Sequence, residues 1–195
     1  MATRIPVQHG KMRKAPKQER SRDTVAAILE ATARILAQRG WAGLNTNAVA
    51  EIAGVSVGSL YQYFPNKLAL IEAVRHRHLQ EILDVLRAAT APDTSRRQRV
   101  EILVEGMIGL HSRHPAIHQT LLEEAPRSRE SKSVHDAFEA EYLHRYQMLV
   151  SSRGIAAHVL SAAIAAVVHD SARRGTLSSP RLKRELIRLV SGYVL

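Results

Sequence analysis

Cysteine is absent from this chain. That excludes disulfides, thiolate metal centres and cysteine nucleophiles, and it is compatible with a reducing cytosol, so a cytoplasmic location is the expectation. Aromatic residues make up only 4%, so a core must be built mainly from Leu, Ile, Val and Ala. Acids are scarce beside bases: 18 Asp and Glu against 28 Lys and Arg give a formal net charge of +10. Such a balance implies a polyanionic partner, nucleic acid before anionic membrane. No apolar run reaches the roughly 18 residues that span a bilayer; the longest, from Ile155 to Val168, is interrupted by His158 and Ser161. No membrane partner is therefore expected. The N-terminus has no apolar signal core. It is basic and acid-poor, as a mitochondrial presequence would be, but its Pro and Gln content makes a poor amphipathic helix.

What is present is enough for a packed fold: 195 residues, 45% hydrophobic, allow one large domain or two small ones. Residues 1–20 read as a disordered basic arm. Arg4, Lys11, Arg13, Lys14, Lys17 and Arg20 stand against one acid, Glu19, and Pro6, Gly10 and Pro16 break any helix. Such an arm is either a solvated tail or a source of added phosphate contacts. Arg20 and Arg22, where the arm meets the first helix, are its candidate DNA contacts.

From Asp23 the apolar residues Val25, Ile28, Leu29, Ile35 and Leu36, with Thr32, recur at three- and four-residue spacing and define one helix face. Gly40 ends that helix, and Trp41 follows where it can fold back towards Leu36. Asn45 is the expected N-cap of a short helix that Gly54 ends. Val55 and Ser56 make a tight connection, and Ser56 caps a third helix starting at Val57. Leu60 and Phe64, four apart, face inward. Pro65-Asn66-Lys67 starts a long fourth helix with the stripe Leu68, Ile71, Val74, Leu79, Ile82, Leu83 and Leu86. After the turn at Ala91-Pro92-Asp93-Thr94-Ser95, helices are predicted near 97–113, 116–125, 132–152, 155–174 and 180–193. No strand pattern or internal repeat is visible, so the fold class is all-α.

Two short helices joined by a Gly-containing turn form a helix-turn-helix. The second must be short and carry small or polar residues to enter a major groove about 12 Å wide. Residues 57–63 meet that need. Val57, Gly58 and Ser59 are small, while Tyr61, Gln62 and Tyr63 offer hydroxyl and amide groups, and the Gln62 amide suits a base edge such as adenine's.

The stretch from Leu44 to Lys67, with its Ala-Gly-Val-Ser turn at 53–56, Leu-Tyr-Gln-Tyr-Phe at 60–64 and Pro-Asn-Lys at 65–67, resembles the DNA-binding signature of the TetR family of transcription regulators. The resemblance runs from Ile28 to about Val74, a quarter of the chain. It implies a three-helix DNA-binding head over 21–67 and a helical effector-binding and dimerisation domain over 68–195. It also implies roles. Thr46 would contact a phosphate and Asn47 would fall at a base-reading position. Ser56, Val57, Gly58 and Ser59 would begin the groove-facing helix, and Tyr61, Tyr63 and Lys67 would contact phosphates. Position 57, often Lys or Gln in the family, is Val here and leaves an apolar contact of the kind a thymine methyl makes. The implied protein is a homodimeric regulator of a palindromic operator on double-stranded DNA, a repressor released by a small effector. A constitutive DNA-binding regulator, or an architectural nucleic-acid-binding protein, is the alternative. The aliphatic middle of the chain suggests an apolar or amphiphilic effector.

Other groupings carry less. His111, His114 and His118 have helical ligand spacing, but Pro115 disfavours α-geometry at His114, so no metal is expected. Glu123 and Glu124 are adjacent and point apart. Ser161, His158, His169 and Asp170 lack a nucleophile elbow or oxyanion hole, so no catalytic residue, cofactor or enzymatic activity is expected. Ala156, Val159, Leu160, Ala163, Ile164, Val167 and Val168, with Leu182, Leu186, Leu189 and Val190, form two apolar stripes suited to a two-fold interface or an intrachain core.

Overall fold

The computed structural model describes residues 19–115, 117, 120–121, 129–150 and 154–194. The expected arm lies outside them up to residue 18. His118, Glu123, Glu124 and most of the helix predicted at 116–125 also lie outside. The described elements are α1 (Glu19–Gly43), α2 (Thr46–Ala53), α3 (Val57–Tyr63), α4 (Lys67–Ala89), α5 (Arg96–Arg113), α6 (Arg129–Leu149), α7 (Ile155–Arg173) and α8 (Pro180–Tyr193). No strand occurs among the described residues, and the all-α reading holds.

Two compact units form, one from residues up to 78 and 116–135, the other from 79–115 and 136–195. In the first, α1 buries Val25, Ile28, Thr32, Ile35 and Leu36 on the face its spacing predicts. Thr32 can sit there because its hydroxyl donates to the Ile28 carbonyl at 2.7 Å. Gly40 breaks the helix at φ 62°, ψ −171°, a conformation a side chain would oppose. The chain resumes with Trp41 turned back towards the core. Helix α1 packs on α2, and α2 on α3. Arg75 of α4 is buried; it pairs with Glu72 at 2.8 Å and donates twice to the Leu121 carbonyl, at 3.0 and 3.3 Å. A buried charge held this way is tolerated because its donors are satisfied.

In the second unit α5 packs on α7 and α8, and α7 on α8. Ser95 and Gln98 close a capping box at the start of α5. Ser179 caps α8, with Pro180 in its first turn. Between α4 and α6, Arg87 holds Glu141 through two bonds of 2.9 and 2.8 Å, and Arg145 donates to Thr90 at 3.0 Å. Helix α7 is 19 residues long, long and apolar enough by length and composition to cross a membrane. Leu160, Ile164 and Val168 are buried against the rest of the unit, while Ile155, Val159 and Val167 are exposed.

Helices α4 and α5 approach closely at Gly106, where a Cβ would lie 2.5 Å from Val85 Cγ1 and 2.9 Å from Cγ2. Helix propensity alone would favour Gly106→Ala by about 1 kcal/mol, but overpacking costs roughly 1–3 kcal/mol. Gly106→Ala should therefore destabilise the protein in chemical denaturation. The same change in a Val85→Ala background should stabilise it. A stabilising Gly106→Ala in the wild-type background would contradict this packing.

Candidate nucleic-acid interface

The geometry begins with caps. Asn45 is extended at φ −140°, ψ 150°, and its Oδ1 accepts from the Ala48 amide at 2.8 Å. Gly54 terminates α2 in the left-handed region at φ 67°, ψ 31°. There its amide and that of Val55 reach back to the Glu51 and Ala50 carbonyls at 3.1 and 3.0 Å. Ser56 then caps α3, accepting from the Ser59 amide at 3.0 Å, with the two hydroxyls 2.8 Å apart. All three caps fall where the sequence placed them, and they fix a three-residue turn between two short helices.

Helix α3 has seven residues and two faces. Leu60 and Phe64 are completely buried, which leaves Val57, Gly58, Tyr61 and Gln62 exposed, with Ser56 before them. The two tyrosines separate sharply: Tyr61 is 39% exposed and Tyr63 8%. Tyr63 thus contributes mainly to the core of the unit, and Tyr61 presents its hydroxyl outward. Asn47 is exposed and Thr46 half-buried. The Thr46 and Tyr61 hydroxyls lie 3.1 Å apart, so two residues 15 apart in sequence present one polar point across α2 and α3.

Gly58 is informative in another way. It has no positive φ, and a Cβ there would meet only Ser56 Oγ, at 3.8 Å. Nothing in the chain itself requires glycine at this exposed position. Lys67 opens α4 just after Asn66, whose Oδ1 accepts from the Ala69 amide at 2.9 Å. Its ammonium stands 4.0 Å from the centroid of the Trp41 ring. Arg20 and Arg22 are exposed on the first turn of α1.

Of the three clustered histidines, His111 and His114 fall in the second unit and His118 lies outside the described residues. His111 is buried, its Nδ1 2.9 Å from the Met107 carbonyl, and its ring lies 5.1 Å from that of His169. Burial, with His111 and Arg173 nearby, pushes His169 down to about 4, and burial lowers His111 as well. His114 has left helical geometry at φ −141°, ψ 77°, as Pro115 requires. No group of three or more metal-binding side chains occurs among the described residues. No relay forms around Ser161: its hydroxyl donates to the His158 carbonyl at 3.0 Å, and Asp170 is held by Arg173 and Arg174 at 3.0 and 2.7 Å. Helix α6 carries three of the chain's eight aromatic residues at four-residue intervals. The Phe138–Tyr142 and Tyr142–Tyr146 ring centroids are 5.3 and 4.9 Å apart. Burial raises Tyr142 to about 12 and Tyr146 well above its ordinary value. The Tyr146 hydroxyl is fully buried and lies near enough to that of Tyr142 for the two to interact.

Comparison with known proteins agrees with this geometry. Residues 28–74 match the N-terminal domain of bacterial regulatory proteins of the tetR family, and residues 95–193 match a tetracyclin repressor-like C-terminal domain. The chain is 27% identical to the transcriptional activator FasR of Mycolicibacterium smegmatis over 75% of its own length and 69% of FasR. It is 34% identical to the transcriptional repressor KstR of the same organism over 53% of its own length and 50% of KstR. Its fold matches the crystal structure of the regulator FadR from Bacillus subtilis in complex with stearoyl-CoA, with a TM-score of 0.63 at 14% identity, covering 87% of this chain and 99% of that one. With a helix-turn-helix built as its signature implies, and both family domains matched along its length, the chain belongs to the TetR family and is a DNA-binding transcription regulator.

Proposed function

We propose that the protein binds a palindromic operator as a homodimer and represses transcription until a small amphiphilic effector releases it. It acts in the cytoplasm and has no catalytic role. The observation that carries the DNA-binding mode is the division of α3: Leu60 and Phe64 anchor it, and Val57, Gly58, Ser59 and Gln62, with Ser56, are left for the major groove. In this reading Thr46, Tyr61 and Lys67 contact phosphates, which position the head without reading sequence. Asn47 and Gln62 face base edges. Tyr63 reaches a phosphate only through the tip of a ring whose body is core. Arg20 and Arg22 add electrostatic contacts from the start of α1.

Three substitutions separate these roles. Lys67→Ala should weaken binding to operator and random duplex alike and lower the salt slope by about one per protomer engaged. Gln62→Ala should weaken operator binding by roughly 1–3 kcal/mol with little effect on random duplex. Gly58→Leu should leave thermal stability unchanged or higher and cost at least about tenfold in operator affinity, since it fills the space a partner needs. Salt titrations against both duplexes decide the set. A Gly58→Leu variant that bound its operator normally would remove α3 from the groove.

The dimer reading rests on α7. On the side opposite Leu160, Ile164 and Val168, it exposes Ile155 (78%) and Val159 (43%), with Ala162 and Ala166 on the same stripe. Val167 is also exposed, and Ala156 and Ala163 are half-buried. A helix apolar on both faces needs a second partner. Val159→Glu places a charge on that stripe at high desolvation cost. Light scattering should show monomer at concentrations where the wild type is dimeric, with circular dichroism unchanged. A fully dimeric Val159→Glu protein would contradict the placement.

For the effector, support comes from the aromatic ladder of α6. The two tyrosine hydroxyls at its end, Tyr142 and Tyr146, form a buried polar point in apolar surroundings, of the kind that holds the oxygen of an amphiphilic molecule. Long-chain acyl-CoA is a suitable first probe, since the FadR neighbour binds stearoyl-CoA. It should displace the wild-type protein from operator, and Tyr146→Phe should raise the concentration required by roughly three- to tenfold. Equal release of both proteins would remove Tyr146 from the effector site.

A further inference from the structure

Lys67 is unusually placed for a cation. It is the first residue of α4, where the helix dipole presents its positive end and disfavours a lysine. Helix stability therefore does not account for it. Two other cations of α4 in the same unit are engaged by carboxylates: Arg75 by Glu72 at 2.8 Å and Arg77 by Glu30 at 3.3 Å. The Lys67 ammonium instead lies 4.0 Å from the centroid of the Trp41 ring. Trp41 is half-buried and packed against the core of the head. It takes that direction because Gly40, at φ 62°, turns the chain immediately before it.

We infer that Trp41 is a positioning residue for DNA binding, one that holds the Lys67 ammonium over its ring, pre-ordered and not neutralised by a carboxylate, for a DNA phosphate. This rests on the reading of Lys67 as a phosphate contact. The choice of an aromatic ring as the holding group has a physical consequence. A carboxylate at this position would fix the lysine but neutralise it, and DNA would first have to break that ion pair. The ring attracts the cation through its quadrupole without cancelling its charge. The ammonium thus keeps its full interaction with phosphate and its full counterion release. A free lysine side chain has much rotamer freedom to lose on binding, and the ring removes part of that loss in advance. The ring covers one side of the ammonium and leaves its other N–H donors for the phosphate.

The test is a double-mutant cycle on the full-length protein with a labelled random-sequence duplex across a range of salt. The proteins are wild type, Trp41→Phe, Trp41→Leu, Lys67→Ala and Trp41→Leu/Lys67→Ala. Trp41→Leu should weaken binding roughly two- to fivefold per protomer while leaving the salt slope unchanged. Trp41→Phe should recover most of that loss. Lys67→Ala should lower the slope, and adding Trp41→Leu to it should cost nothing more. Trp41 is the chain's single tryptophan, so its fluorescence gives a second readout. Its emission should change on duplex binding in the wild type and not in Lys67→Ala. Thermal unfolding of each variant reports the packing contribution of Trp41 separately. If Trp41→Leu weakens binding equally with and without Lys67, the ring acts through packing alone and the inference is wrong. If Lys67→Ala alters neither affinity nor slope, the phosphate reading fails first and takes the inference with it. In that case the Gln62 and Gly58 variants still report on the recognition helix.

Discussion

Helix α3 is only seven residues long, too short to hold its shape in water by itself. It exists because Leu60 and Phe64 are driven into the core that α1 and α2 share with it, each such burial contributing about 1.5–3 kcal/mol. That one packing arrangement sets the direction of everything else on the helix. With the Leu60–Phe64 side fixed inward, Val57, Gly58, Tyr61 and Gln62 have no choice but to face out. The caps at Asn45, Gly54 and Ser56 complete the constraint by fixing where α2 stops and α3 starts. A recognition surface made of small and polar residues is thus held rigid by apolar contacts on its other side. The buried and exposed residues occupy separate faces of the same two turns of helix.

The surface so produced combines two kinds of group. The Thr46–Tyr61 hydroxyl pair and the Lys67 ammonium suit phosphate oxygens, while Val57–Ser59 and Gln62 suit a groove floor. The overall charge of +10 brings any polyanion close, but it cannot discriminate among sequences. Discrimination among sequences requires contacts to base edges, and phosphate contacts set register without reading sequence; in the proposed mode the outward face of α3 supplies the first kind. In the other unit, the exposed apolar stripe of α7 is the proposed dimer surface.

Much of this was legible in the sequence because the signals are local. Gly40, Asn45, Gly54 and Ser56 act within four residues of themselves, and each does what its position predicts. The helices from α5 onward fall within a few residues of the predicted spans, and His114 leaves the helix as Pro115 dictates. The features that escaped join residues distant in sequence. Thr46 meets Tyr61 across 15 residues, Lys67 meets Trp41 across 26, and Arg75 finds the Leu121 carbonyl across 46. Periodicity also could not divide α7. Leu160, Ile164 and Val168 turned out to be intrachain core, while Val159 and Val167 are exposed, because a helix apolar all round gives no sign of which side its own chain will cover. The two tyrosines of α3 show the same limit: both carry a hydroxyl, and only the three-dimensional packing separates the buried Tyr63 from the exposed Tyr61.

The account stands or falls on whether two copies of α3 read DNA as a symmetric pair. The direct measurement is selection of bound duplexes from a random-sequence library by the full-length protein at near-physiological salt, followed by sequencing. The account predicts enrichment of an inverted repeat whose half-site centres lie about one helical turn, 10–10.5 base pairs, or a multiple of it, apart. Recovery of duplexes with no shared sequence, or of a single asymmetric site, would contradict it.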